Sequence, residues 1–385
     1  MINKVVYIST YIPQKCGLAT YTHNLRTSIN KMKEWTGIDP VIVVADTKYD
    51  HFTSHTEHWI LDKDRKEKYR IMAERVNQSD ISLVSLQHEF GIFGGDHGSH
   101  IIEFIKYLKK PLVTTFHTVS PKLPLSRRRL LKEIGSKSSA ILVMNQGNRK
   151  YLVNKLLIPR KKVISIPHGS PSPPNIDIAL LRKELKWSDK KVLLSFGFLM
   201  GGKGFGFILD VLPQVVRKVP NTLYVIIGET HSSVKEKNGE SYRKNLQRKI
   251  KLNGLQDHVI MIDEYVSEDN LIKYISAADM VLVPYLNPNH SSSGVLTYAV
   301  GLGMPLLATP FTYAKEVLQG QKEIMIPYGN YAEWREQLTS FLSNRDRLTT
   351  LQKKISEISP TLHWSHIGKL HAKIFEQVHA NYYLN

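Results

Sequence analysis

Short continuous apolar runs, each followed by a stretch with helical spacing, recur from one end of this chain to the other. The first half carries VVYIS (5–9), VIVVA (41–45), ISLVSLQ (81–87), PLVTTFH (111–117), AILVMN (140–145) and KVISIPH (162–168). The second half carries KVLLSFG (191–197), TLYVIIG (222–228), VIMIDEY (259–265), MVLVPY (280–285) and PLLATP (305–310). The runs do not alternate apolar with polar, as expected of strands buried on both faces of a parallel sheet. Intervening stretches such as GFILDVLPQVVRKV have the 3.6-residue period of helices. The pattern predicts an α/β protein built on doubly wound parallel sheets.

A chain of 385 residues is long for one such sheet and comfortable for two. HGSPSPPNID (168–177), rich in Pro, Ser and Gly, reads as the connection between them. The expected division is an N-terminal Rossmann-like domain over 1–170 and a second over 171–355. A C-terminal helix over 356–385 is expected to cross back to the first. Two such domains facing a cleft would present ligand-binding loops at their strand ends.

A single cysteine, Cys16, excludes an internal disulfide and fits a reducing compartment. MINKVVYIST enters a strand pattern without a signal-peptide core, so the expectation is a cytoplasmic protein. The uncharged stretch Val295–Phe311 is broken by Gly301, Gly303, Pro305 and Pro310. It reads as buried helix plus buried strand rather than a span, which needs roughly 20 apolar residues.

The net charge of +18 is concentrated: Lys106 to Lys162 holds fifteen basic residues against one acid, Glu133. One reading is a solvated face that maintains solubility. The other is docking on an anionic acceptor or an anionic membrane surface through Arg127, Arg128, Arg129 and their neighbours, at the inner face of the cell membrane. No recognition motif or aromatic interleaving accompanies the charge, so no nucleic acid partner is expected.

Four places concentrate chemistry at strand ends. In the loop STYIPQKCGLATYTHNL, Gly17 permits close backbone approach before a helix starting near Ala19 and Thr20, an anion site by geometry. In SFGFLMGGKGFGF, Gly201, Gly202 and Gly204 flank Lys203, which suits a diphosphate but matches neither the phosphate-loop nor the GxGxxG pattern. Strand ends also deliver His88, Glu89, His117 and His168, with His117 closing the clean apolar strand VTTFHT. His97 and His100 lie close together, but no second cluster completes a metal site, so no metal is expected. Last, HSSSGVLTYAVGLGMPLLATP (290–310) couples a serine-glycine turn to a helix and contains no acid.

Taken in order, PQKCGLATYT, QHEFGIFGG, LVTTFHT, KVISIPHG, FGFLMGGKG, GETH, GESYRKNL, AADMVLVPYLNP and SSSGVLTYAVGLG resemble the retaining GT-B glycosyltransferases of the family 4 type. QHEFGIFGG, GETH with GESYR, and the SSG cluster are similar to a bacterial branch of that family. The resemblance implies a GT-B fold and a nucleotide-sugar donor, GDP-mannose or a UDP-sugar, bound mainly by the C-terminal domain. It implies a glycan, lipid-linked or cell-envelope acceptor bound by the N-terminal domain, with His88 and His117 on that side. Hexose transfer would proceed by same-face displacement with no cofactor, the donor's own phosphate oxygen taking the acceptor proton.

By the same resemblance Lys203 is the diphosphate lysine, and Gly17 belongs to the loop approaching phosphate and sugar. His117 lies near the reacting sugar, and Glu229 near the nucleotide. Two departures stand out. Gly197-Phe198-Leu199 replaces glycine-arginine-leucine, removing a cation. The family's paired glutamates fall on His290 or Ser291 and on Tyr298, leaving the Ser292, Ser293, Gly294 and Val295 amides to bind phosphate. The departures favour an alternative reading, a catalytically silent GT-B subunit that scaffolds or chaperones a partner transferase. A sugar-nucleotide epimerase would need an acid/base set that the sequence lacks.

Overall fold

The computed structural model describes residues 4–32, 38–46, 57–318 and 321–383. The chain divides into two compact units: Met1–Gly169 with Trp364–Asn385, and Ser170–His363.

The first unit is built on a seven-stranded parallel sheet. Its strands are β1 (Val5–Ser9), β2 (Val41–Ala45), β3 (His58–Asp62), β4 (Leu83–His88), β5 (Leu112–Phe116), β6 (Ala140–Val143) and β7 (Val163–Ser165). They run in the order β3-β2-β1-β4-β5-β6-β7, so the winding reverses between β1 and β4, with Val5 opposite Leu83 and Ile8 opposite Leu86. β1, β2, β4, β5 and β6 are buried along their whole length. β3 is different. HWILD alternates between buried and half-buried positions at the sheet edge and was not among the expected strands.

Helices Lys66–Gln78, Ile101–Tyr107 and Leu125–Lys137 enclose the core that Val6 and Ile8 enter, with Tyr69, Phe104 and Leu131 fully buried there. The helix Trp364–Tyr383 packs on the helix Gly17–Asn30, where Ser28 Oγ donates to Trp364 O at 2.5 Å. Phe375 from the same helix meets the Tyr7 ring edge-on at 6.5 Å. Each large apolar side chain buried this way stabilises the unit by about 1.5–3 kcal/mol.

The second unit carries a five-stranded parallel sheet of β8 (Lys191–Phe196), β9 (Thr222–Ile227), β10 (Val259–Ile262), β11 (Met280–Val283) and β12 (Leu306–Ala308). The order β10-β9-β8-β11-β12 reverses between β8 and β11. In such sheets ligands lie beyond the carboxyl ends of the strands at the reversal. β10 does not have the burial expected of its apolar run: it is an edge strand, and Ile260 is 41% exposed. The helix Gly294–Gly301 and β12 are buried, as the broken apolar stretch implied.

The unit boundaries differ from those read in the sequence. The helix Arg345–Ile358 and the turn Ser359–Leu362 stay with the second unit, so the chain returns at Trp364 rather than at 356. There Ser170 N donates to Leu362 O at 2.8 Å and Ser359 Oγ to Gly301 O at 2.5 Å, anchoring the segment within the second unit.

Candidate functional site

In the second unit the carboxyl ends of β8 and β11 bring three loops to one tyrosine. Lys203 closes the turn Gly201–Lys203, followed by Gly204 at φ 78°. A Cβ on Gly204 would lie 2.0 Å from Pro284 O, so only glycine fits where this turn meets the end of β11. The turn directs Lys203 Nζ to the Tyr285 hydroxyl at 2.8 Å, with the ammonium also 4.1 Å from the ring centroid. Tyr285 is buried and stacks on Phe311, with His290 edge-on at 4.9 Å. Ser293 Oγ donates to the same hydroxyl at 3.3 Å.

Ser293 caps the helix Gly294–Gly301: its Oγ accepts from Leu296 N at 3.1 Å, and its carbonyl accepts from Thr297 Oγ1 at 2.8 Å. Its side chain therefore shapes the turn. The Gly294 and Val295 amides, in the first helical turn, have no acceptor inside the helix and form its positive end. Positions Gly201 and Gly202 are exposed, with nothing within 4 Å of where a Cβ would stand. An ammonium, unobstructed backbone and a helix N-terminus together suit a diphosphate.

The position where the resemblance places a second cation holds an aromatic ring. Phe198, where the resemblance places arginine, packs edge-on against His231 at 4.8 Å and tilts on Tyr265 at 5.9 Å. Burial, followed by the Lys203 charge, pushes the His290 pKa down to about 4, so its imidazole is neutral at pH 7. Arg243 pairs with Asp263 and Glu240, and donates to Thr230 Oγ1 at 3.3 Å. Thr230 in turn donates to Glu240 at 2.5 Å, so GETH and GESYR, separate in sequence, form one network. Glu229 is half-buried at the end of β9, and its carbonyl accepts from Leu199 N at 2.9 Å.

Tyr298 is buried one turn into the same helix, its ring 6.5 Å from Phe196. Its hydroxyl donates to a carboxylate oxygen of Glu268, the first residue of the helix Glu268–Ala277. Sequence reasoning missed Glu268 because it lies 30 residues away in another element. It missed Tyr285 because the run MVLVPY reads as a plain strand.

In the first unit the helix Gly17–Asn30 begins two residues earlier than expected. Cys16 is its N-cap, Sγ accepting from Ala19 N at 3.3 Å, and space around Gly17 is open. His117 follows β5, half-buried, with Nε2 donating to Gln87 Oε1 at 3.0 Å and its ring edge-on to Tyr21 at 4.7 Å. Burial and the neighbouring His168, His88 and His371 hold its pKa well below the usual value, leaving a neutral imidazole. Tyr21 also meets His168 at 5.0 Å. Glu89 is oriented by Thr118 Oγ1 at 2.6 Å and Phe90 N at 2.9 Å, and burial raises its pKa.

His88 does not fit the acceptor role assigned from sequence. It is fully buried among Phe90, Phe93 and Phe116, and among the described residues neither ring nitrogen has a hydrogen-bond partner. An imidazole sealed in aromatic rings touches no solute. The arginine triplet also divides. Arg127 lies over Phe90 and donates to His97 Nδ1 at 3.3 Å, and Arg128 donates to Leu123 O at 2.8 Å. Only Arg129 of the three is exposed. Among the described residues, no group of three or more His, Cys, Asp or Glu is placed to hold a metal ion, and no helix is long and apolar enough to cross a membrane.

The second unit is where comparison with known proteins is most specific. Residues 177–359 match the family described as glycosyl transferases group 1. The matched residues lie within the second unit, the one that carries Lys203, Tyr285 and the serine-capped helix. Spore coat protein SA of Bacillus subtilis is 24% identical over 201 residues, 51% of this chain and 52% of that protein. The chain thus spans about half the length of the curated relative it matches.

Similarity in structure extends over nearly the whole chain. HepE of Anabaena, in complex with UDP, superposes with a TM-score of 0.77 at 15% identity, covering 97% of this chain and 100% of that one. Its complex with UDP-glucose gives 0.77 at 14% identity, covering 97% and 99%. Sucrose-phosphate synthase from Thermosynechococcus elongatus gives 0.77 at 14%, covering 98% and 100%. The two parallel-sheet domains match the fold of these GT-B glycosyltransferase structures.

Proposed function

We propose that the chain is a retaining glycosyltransferase that moves a hexose from a nucleotide sugar to a glycan, lipid-linked or cell-envelope acceptor. The observation that carries this reading is the convergence of Lys203 and the N-terminal turn of Gly294–Gly301 on Tyr285. An ammonium has three donors, and Tyr285 takes one of them. The others, with the Gly294 and Val295 amides, stabilise the charge that develops on a departing nucleoside diphosphate.

The second unit serves the donor and the first the acceptor. Two of the similar structures hold UDP and UDP-glucose, which puts a UDP-sugar ahead of GDP-mannose. Retention follows from same-face displacement: the acceptor oxygen bonds to the anomeric carbon as the bond to the diphosphate breaks. The acceptor proton passes to a donor phosphate oxygen, so no carboxylate nucleophile and no metal are required. His117, a neutral imidazole, serves the acceptor side without adding charge.

Calorimetric titration with UDP-, GDP- and ADP-sugars tests the reading, followed by nucleotide release with crude lipid and glycan acceptors and NMR of the product anomer. Saturable binding of one donor and an axial-to-axial or equatorial-to-equatorial outcome are expected. Failure to bind any donor would overturn the reading in favour of the silent scaffold, which the aromatic packing of Phe198 in place of a cation favours.

The basic face of the first unit is assigned to an anionic membrane surface, with the protein peripheral on the cytoplasmic side. The groups available for this are Arg129, Lys122 and Lys132, all exposed, beside Leu125, which is 57% exposed.

A further inference from the structure

We infer that the second unit carries another ligand site, at the amino ends of its strands, and that this site takes a small phosphorylated sugar. The inference does not depend on the transferase reading.

A cleft of about 670 Å³ lies there between the helix Ile178–Glu184, the starts of β8, β11 and β12, and one flank of the helix Arg345–Ile358. Small-molecule sites have volumes of roughly 300–1,000 Å³. β8 is six residues long, so it separates the cleft from the carboxyl end of the sheet by roughly 17 Å. Lys203 and Tyr285 belong to that other end.

One ion pair ties the walls together. Arg182 donates to Ala277 O at 2.6 Å, Lys190 O at 2.7 Å and Trp187 O at 3.0 Å, and reaches Asp279 Oδ2 at 3.3 Å. The same carboxylate oxygen accepts from Val192 N at 2.7 Å. Asn221 accepts from Lys191 N at 2.9 Å on its carbonyl and donates from Nδ2 to Asp189 O at 2.9 Å. The backbone entering β8 is therefore held from both sides, and with it the starting points of the Lys190 and Lys191 side chains.

The charge left over has one sign. Lys190, Lys191 and Arg345 line the cleft, and among the described residues none of the three has an ion pair or a side-chain hydrogen bond. Both lysines are half-buried. Against them stands one carboxylate without a partner, Asp189, which is exposed. A cleft with an excess of one charge concentrates ions of the other. Ser276 and Gln352 also line it, and their side chains make no hydrogen bond among the described residues. Ammonium and guanidinium groups suit a phosphate, while a hydroxyl and an amide suit ring hydroxyls. A phosphorylated sugar presents both kinds of group. Inorganic phosphate would leave most of the volume unfilled, and a neutral sugar would leave the lysines without a counter-charge.

The test is calorimetry of the full chain with glucose 1-phosphate, glucose 6-phosphate, mannose 6-phosphate and ribose 5-phosphate, beside inorganic phosphate and glucose. Each titration is run with and without saturating UDP. One sugar phosphate is expected to bind at one site whether or not UDP is present, at least tenfold more tightly than phosphate or glucose, and more weakly at high salt. Lys190→Ala combined with Lys191→Ala should weaken it at least tenfold, since hydrogen bonds to charged groups are among the stronger ones. Asp189→Asn should tighten it several-fold by removing a repelling charge. Ser276→Ala with Gln352→Ala should weaken the sugar phosphate and leave inorganic phosphate unchanged. Absence of saturable binding by all four sugar phosphates would overturn the inference. So would equal affinity for inorganic phosphate, displacement by UDP, or full binding by the double lysine variant. Should that variant fold poorly by circular dichroism, Lys190→Met with Lys191→Met, which keeps the apolar stems, decides in its place.

Discussion

Lys203 and Ser293 hydrogen-bond the same oxygen, the Tyr285 hydroxyl, at 2.8 and 3.3 Å from two different loops. One phenol thereby links the ammonium to the serine that caps the helix Gly294–Gly301.

Lys203→Ala is expected to abolish transfer while the fold persists, because the side chain is only half-buried. Loss of more than tenfold in kcat/KM corresponds to over about 1.4 kcal/mol of transition-state stabilisation. Tyr285→Phe should show a smaller loss, since the cation remains but is no longer aimed. Retention of more than a tenth of wild-type kcat/KM by Lys203→Ala counts against the diphosphate role.

Gly17, Gly201 and Gly202 have no neighbour within 4 Å of a built Cβ, so packing does not require them to be glycine. Gly17→Ala is expected to leave stability unchanged or raised by about 0.5 kcal/mol, because it reduces chain entropy at a helix start. Gly202→Val should likewise fold yet bind donor at least several-fold more weakly. Gly204→Ala should be destabilised by more than about 1 kcal/mol through its positive φ and the Pro284 carbonyl. Urea titrations beside donor calorimetry separate the two behaviours; a large stability loss in Gly202→Val contradicts the assignment.

Acid should destabilise the protein through buried histidines. Burial pushes His88 and His371 down to about 3 and His168 to about 4. Below the ordinary histidine value near 6.5 the unfolded chain takes up protons that the folded one does not. Stability present above pH 6.5 is therefore lost as pH falls toward 4, at roughly 1.4 kcal/mol per pH unit for each such histidine. His88→Leu should flatten the slope by one proton and cost little at pH 7, because the His88 ring has no hydrogen bond to lose. Urea midpoints at pH 7, 6 and 5 report it, and an unchanged slope in the variant refutes it.

Arg129→Glu with Lys122→Glu and Lys132→Glu is expected to reduce sedimentation with anionic liposomes at low salt without lowering Tm. Reversal of Arg127 and Arg128 should lower Tm instead, because both are bonded within the unit. Unchanged partitioning of the first variant would return the face to a solubilising role.

The doubly wound organisation was legible because apolar runs such as VVYIS and TLYVII are buried along their length, where the period-2 signal vanishes and continuity replaces it. β3 escaped because its apolar run, Trp59 to Leu61, is only three residues long and is bracketed by His58 and Asp62. Lys203 and the serine-glycine turn stood out in sequence through their local composition, but their meeting at Tyr285 did not. His88 was misread because a strand end in sequence does not reveal the three phenylalanines that close over it. The Tyr298–Glu268 contact was unreadable because the two residues stand on different helices, 30 positions apart.

The return of the chain at Trp364 makes the second unit an uninterrupted insertion, Ser170–His363, inside a first unit whose two pieces flank it. At the seam a Cβ on Gly169 would stand 2.3 Å from the Trp364 ring, so the two ends of the outer piece are already adjacent. A gene that joins codon 169 to codon 364 through a few glycines should therefore encode a complete seven-stranded protein. One stopped at codon 169 would leave the Tyr7 face without Phe375.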